Sequence, residues 1–216
     1  MRRLLLVALL AVIALIAVTV IADRLAAAYA ADRVATEIQK QGFNVKPNVK
    51  INGFPFLTQA ISRDFRDVRL SAHGVQEGPL RISSIDATAR GVHLDSSYRK
   101  GTIDSLDGTG VINFADLSSA AGQPGLTLSS AGPDKVQAQI DLGVVEGMAT
   151  AQVTKVGNTI QVHGISIQGI PFSELGQLLD FSVPVPALPI GLIFQSLSIT
   201  AQGVVLHVTG AHVPFG

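Results

Sequence analysis

Nineteen consecutive residues, Leu4 to Ala22, carry a single polar side chain, Thr19. As an α-helix this run spans about 28 Å, close to the ~30 Å hydrocarbon thickness of a bilayer. It therefore reads as a membrane segment, and everything after it must fold on the far side. Arg2 and Arg3 precede the run, whereas Asp23, Arg24, Asp32 and Arg33 balance one another behind it. The positive-inside rule then puts the larger portion outside the cytoplasm. Ala28-Tyr29-Ala30 fits the small-x-small rule for signal cleavage, which would release a secreted or periplasmic domain. The run is long for a cleaved signal and the Ala-x-Ala lies well past its end, so an uncleaved anchor is expected. The expected organisation is residues 1–22 as anchor and 23–216 as one extracytoplasmic domain.

Sixteen Lys and Arg balance sixteen Asp and Glu among the 216 residues. A nucleic-acid binder needs a basic surplus to meet phosphates, so that class is excluded. There is no cysteine. A disulfide framework, a thiolate metal site, a Cys nucleophile and a lipoprotein acylation site are excluded with it.

The pattern after Ala22 begins as a helix and then changes period. Ala27, Ala31, Val34 and Ile38 fall at helical spacing, opposite Asp32, Arg33, Glu37 and Lys40, and Gly42 is a natural stop. Beyond Gly42 apolar residues alternate. Val45 to Ile51 is broken by Pro47 and belongs at a sheet edge. Val68 to Ala72, Leu80 to Ser83, Ile85 to Leu94, Val111 to Phe114, Val136 to Leu142, Ala149 to Val153, Ile160 to Val162, Ile165 to Ile167, Leu197 to Thr200 and Val204 to Val208 read as strands. Strand follows strand, so the sheet is expected to be mostly antiparallel. Short helical patches are expected at Pro55 to Ile61, Ala115 to Ala121 and Phe172 to Phe181. The first and third open alike, on Gly53-Phe54-Pro55-Phe56 and Gly169-Ile170-Pro171-Phe172. The fold class is α+β: an N-terminal membrane-anchor helix, then a curved, mostly antiparallel sheet wrapped on a long helix.

Catalytic patterns are missing. Gly164-Ile165-Ser166-Ile167-Gln168 breaks the nucleophile-elbow pattern at its last position. There is no phosphate-binding glycine loop and no His-Glu-x-x-His. Asp104-Ser105-Leu106-Asp107-Gly108 lacks the oxygen ladder of a calcium loop and reads as a turn. His73, His93, His163, His207 and His212 sit inside or beside strands; His207 and His212 could approach each other, but no carboxylate accompanies them in sequence. No catalytic residue, metal or cofactor is expected.

Apolar surface is plentiful. From Val156 to the end only Glu174 and Asp180 carry charge, and Phe181 to Ile190 is nearly all aliphatic and proline. Such a stretch buries itself, meets a membrane or meets an apolar ligand. The two corners offer Phe54, Phe56, Leu57 and Ile61, and Phe172, Leu175, Leu178, Leu179 and Phe181, as candidate contacts for acyl chains. Arg63, Arg66 and Arg69 form the densest basic group, joined by Arg81. Guanidinium forks suit a phosphate head group, while Asp64 and Asp67 offer to neutralise them.

The run Ile51-Asn52-Gly53-Phe54-Pro55-Phe56-Leu57-Thr58-Gln59, followed by Asp67-Val68-Arg69-Leu70-Ser71-Ala72-His73-Gly74-Val75, resembles a known family. So do Asp23-Arg24-Leu25-Ala26 upstream and Ile85 to Val92, Leu188-Pro189 and Ser198 to Val204 downstream. The family is the actinobacterial phospholipid-binding envelope family typified by the mycobacterial lipomannan elongation factor A, and the resemblance covers nearly the whole chain. It implies a non-enzymatic cell-envelope protein that binds phospholipid, including phosphatidylinositol, in support of lipoglycan assembly or permeability. It also implies a tubular lipid-binding-like fold. The alternatives are a structural or interaction protein of the envelope with a filled core and no lipid, and an envelope enzyme acting on lipid-linked glycans.

Overall fold

A computed structural model describes the whole chain except residues 1, 42, 79, 122–124, 142–145, 168–169, 172–179, 186–187 and 189–190. One helix, α1 (Arg2–Lys40), carries the apolar run and the following stripe without a break. It is long and apolar enough to cross a membrane, and its apolar window is bare of protein contacts. Its buried side is Asp23, Ala27, Ala31 and Ala35, strictly four apart. This corrects the expected stripe: Val34 is exposed, because small alanines let the helix lie close to the sheet while larger residues stay outside.

Strands β1 (Asn48–Asn52), β2 (Asp64–Glu77), β3 (Leu80–Leu94), β4 (Gly101–Asn113), β11 (Leu192–Ile199) and β12 (Gly203–Phe215) form one sheet in the order β1-β2-β3-β4-β12-β11. Helix α2 (Phe56–Ser62) joins β1 to β2, and α3 (Phe114–Ala120) follows β4. A second sheet, in the order β10-β8-β7-β6-β5, comprises β5 (Leu126–Ser130), β6 (Lys135–Asp141), β7 (Glu146–Val156), β8 (Thr159–Ile167) and β10 (Phe181–Pro184), with the short β9 (Ile170–Pro171) beside β8. Every pairing among the described strands is antiparallel. The first sheet curls: one part packs on α1, and another on the second sheet, a cover that the sequence pattern does not announce.

Two expectations are corrected. Asp104 to Gly108 is not a turn but the middle of β4; its two aspartates and its glycine look like turn chemistry only while the strand's partners are unknown. Phe181 starts a strand rather than ending a helix and Asp180 before it is not helical; residues 172–179 of that expected helix lie outside the described residues. The apolar Phe181 to Ile190 stretch, where described, buries itself: Val183 and Val185 join the core and Phe181 and Leu188 pack on it.

The inner and outer faces of the first sheet separate by rows of directly opposed residues. Ile51, Val68, Ala89, Leu106, Gly210 and Leu192 form one row; Val49, Leu70, Ala87, Gly108, Val208 and Phe194 form the next but one. Ala72, Ile85, Gly110, Leu206 and Leu197 form a third. The row between the first two reads Lys50, Arg69, Thr88, Asp107 and Thr209, ending on the exposed Ile193. Alternation thus gives an apolar inner and a polar outer face.

The alternation slips where pairing skips one residue on each of four adjacent strands, at Arg66, Gly91, Asp104 and His212. Gly91 and His212 take left-handed backbone there. A Cβ on Gly91 would run into the Asp104 carboxylate, so glycine is required. The crease moves Phe65, Val92, Ile103 and Phe215 onto the side that Val68 and Ala89 already occupy, and all six share one apolar cluster.

Candidate functional site

The word Gly53-Phe54-Pro55-Phe56-Leu57-Thr58-Gln59 builds the joint between membrane helix and sheet. Asp23, the first residue after the apolar run, is buried, and its carboxylate accepts the backbone N–H groups of Phe56 and Leu57 at 3.0 and 2.9 Å. Burial works against its charge. The Arg24 guanidinium and the two N–H groups outweigh that and hold the carboxyl below its ordinary value. Arg24 also donates to Gly53 O at 2.8 Å and lies 5.4 Å from the Phe54 ring centroid. Gln59 is buried; its amide donates to Asn52 O and accepts from Arg66 N, tying the end of β1 to the start of β2. Gly53 has φ +100°, and a Cβ there would strike the Gln59 amide.

The named lipid contacts are not brought together. Phe56 is core, 6.1 Å from Phe65 ring to ring. Phe54, Leu57 and Ile61 face outward. Phe181 packs at the far cluster between the sheets. Phe172, Leu175, Leu178 and Leu179 lie outside the described residues. The three arginines also part company. Arg63 caps α2 in left-handed conformation and Arg66 is exposed beside it. Arg69 stands on the outer polar row, paired with Asp67 at 3.2 Å.

Apolar clusters occupy the ends of the inner face, one of them Ala31 and Ala35 of α1 over Val49 and Leu70. Ile112, Val204, Leu206 and Phe194 meet the second sheet and α3, through Val136, Ile160, Val162 and Leu117 among others. Phe65, Val92 and their neighbours meet Ala27 and Phe56. Between them, Ile85, Ala87, Leu106, Val208 and Leu192 are half-buried and belong to no core cluster among the described residues. Gly108 and Gly110 complete this lane. Neither has positive φ, and a Cβ on either would meet its nearest neighbour at 3.6 or 3.8 Å, ordinary contact distance. Glycine inside a strand forgoes packing; here it leaves the floor of the lane low. Sequence reading puts Ile85, Ala87 and Val208 on strands but cannot separate them from core, because alternation does not state what covers a face. Only the row register reveals them.

A groove of about 440 Å³ runs elsewhere, between α1 and the free edge of β1. Alanines 27, 28, 31 and 35 line one side, but Arg24, Asp32, Asn48, Lys50 and Asn52 crowd the rest. Its size is that of a small-molecule site. Its lining suits a polar group better than an acyl chain, so the apolar lane is the stronger lipid candidate.

Two histidines have carboxylate companions, which arrive from other strands or from distant chain. His93 lies 3.1 Å from Asp104 and 3.4 Å from Asp64; His163 lies 2.8 Å from Asp180. The Asp104 hydrogen bond raises the His93 pKa above its ordinary value. Both histidines are on outer faces, away from the lane. Among the described residues no cluster of His, Cys, Asp or Glu is arranged to hold a metal ion.

Residues 21–209 match the family model described as LmeA-like phospholipid-binding. No curated protein and no solved structure matches significantly.

Proposed function

Because the chain belongs to the LmeA-like phospholipid-binding family, we propose that it is a non-enzymatic, membrane-anchored protein. In this reading it holds or passes anionic phospholipid outside the cytoplasm, in support of envelope lipid and lipoglycan assembly. The acyl chains lie along the lane of Ile85, Ala87, Leu106, Val208 and Leu192. The observation that carries this is an apolar strip of inner face that the core leaves half-open. Each methylene taken from water contributes about 0.8 kcal/mol, against the costs of ordering lipid and protein. Such binding needs shape and apolar area, not a nucleophile. An anionic head group fits the guanidinium groups of Arg63 and Arg66, which form no ion pair among the described residues. Phosphatidylinositol is the lipid the family resemblance puts first.

Gly108→Leu tests the lane. The new side chain has room at its Cβ and reaches over the floor. Full-length protein purified in detergent is expected to carry phospholipid visible by native mass spectrometry. The variant is expected to lose it several-fold at an unchanged thermal midpoint. Equal lipid in both proteins, or none captured from phospholipid vesicles by either, overturns the reading.

A further inference from the structure

The α2 corner exposes an apolar face that the domain does not use. Phe54, Leu57 and Ile61 are 56, 46 and 81% exposed. Leu25 of α1 is exposed as well, two residues past Asp23, and Tyr98 joins from the turn between β3 and β4, its hydroxyl donating to Ala60 O at 3.1 Å. Exposed apolar residues elsewhere in the domain are spread out: Met148 and Val156 lie eight residues apart near the two ends of β7, and Ile193 is on β11. Isolated residues need no explanation, but a contiguous patch does.

The corner also carries cations. Arg63 ends α2, Arg66 follows it, and Arg99 and Lys100 sit in the Tyr98 turn; none forms an ion pair among the described residues. The carboxylates at this end are otherwise engaged: Asp23 on Arg24 and α2, Asp64 near His93, and Asp95 on Ser97 and its turn.

Position decides the partner. Asp23 holds the first turn of α2 within 3.0 Å, one residue beyond the last apolar residue of the span. At 1.5 Å per residue, Leu25 lies about 4–5 Å past Ala22 along the same helix. We propose that this end of the domain, through Phe54, Leu57, Ile61 and Tyr98 with their ring of cations, is seated in the head-group layer of the bilayer that α1 crosses. The proposal rests on reading α1 as an uncleaved anchor. Aromatic rings and long basic side chains favour that layer, and cations there favour anionic lipid. A helix alone leaves the domain free to tilt with the helix relative to the bilayer plane. A second attachment fixes it, so the lane keeps one direction relative to the lipid surface.

The chain has no tryptophan, which makes single insertions readable. Phe54→Trp, Leu57→Trp and Ile61→Trp are made in the full-length protein, with Leu15→Trp as a span control and Ile193→Trp as an outer-face control. Each is reconstituted in phosphatidylcholine–phosphatidylglycerol vesicles containing brominated lipid. The three corner variants and Leu15→Trp are expected to be blue-shifted and quenched, and Ile193→Trp neither. Corner variants that behave like Ile193→Trp while Leu15→Trp is quenched overturn the docking and leave the anchor standing. An unquenched Leu15→Trp overturns both. Lipid captured by the lane is measured separately, so its loss does not touch this outcome.

Discussion

Two places on one strand differ in what covers them. Ile112 and Leu106 share the inner face of β4, six residues apart. Ile112 is fully buried between the sheets, whereas Leu106 is half-exposed and joins no core cluster. Strand alternation states which side a residue faces; it does not state whether a second layer lies over it. A core and a ligand lane therefore read alike along a strand, and the difference lies in chain that arrives from far away.

That contrast is measurable. Ile112→Ala is expected to cost about 2–5 kcal/mol, since it opens a cavity in a closed core. Leu106→Ala is expected to cost under about 1 kcal/mol, as for a half-exposed site, and to weaken lipid retention. Urea unfolding of both variants, with lipid counted on the folded protein, gives the comparison. Equal destabilisation would make the lane ordinary core.

The next effect concerns the joint. Asp23→Asn keeps the size of the side chain and removes its charge. The variant should unfold at lower temperature near neutral pH than the wild type. The sign with pH follows from the lowered carboxyl pKa. Asp23 stabilises the fold above the ordinary aspartate value of 3.8, and that contribution is lost as pH falls through the lower folded value. The gap between wild type and variant should therefore close in acid. A gap that is constant down to about pH 2 would show that charge at Asp23 is irrelevant.

Much of this was legible beforehand. The apolar run, the helix beyond it, the proline-marked edge strand β1 and the α2 corner each have a local signature: length, period, Pro47 and the Gly-x-Pro-Phe turn. The long strands were not legible in full. In β3, Leu80 and Ile82, then Ile85, Ala87 and Ala89, then Val92 and Leu94 all serve the inner side, with a phase slip at each break. The sequence therefore reads as two short strands, not one of fifteen residues. In β4, Gly101, Gly108 and Gly110 mimic a turn, and only pairing with β3 and β12 shows otherwise. The lane inherits both problems, since its floor is the glycine and alanine of those two strands. The motif word was visible, but its role was not. Phe56 and Gln59 point inward to hold the joint, and only Asp23, thirty-three residues before Phe56, explains why.

The smallest expected effect tests the crease against the flat part of the sheet. His93 bridges from its own strand to Asp104 at the crease and lies near Asp64, whereas His207 sits on the regular outer row between Thr109 and Ser196. The Asp104 hydrogen bond, then the charges of Asp104 and Asp64, raise the His93 pKa above 6.5 despite partial desolvation. Protonated His93 therefore stabilises the crease fully below about 6.5, and the contribution is lost as pH rises through the raised folded value. Ring-proton NMR should show His93 titrating at higher pH than it does in Asp104→Asn. Thermal midpoints of wild type and His93→Ala should converge from about pH 6 to pH 8. The groups are half-exposed, so the change is small. Titration of His93 at the same pH in Asp104→Asn would remove the crease from any role in setting its charge.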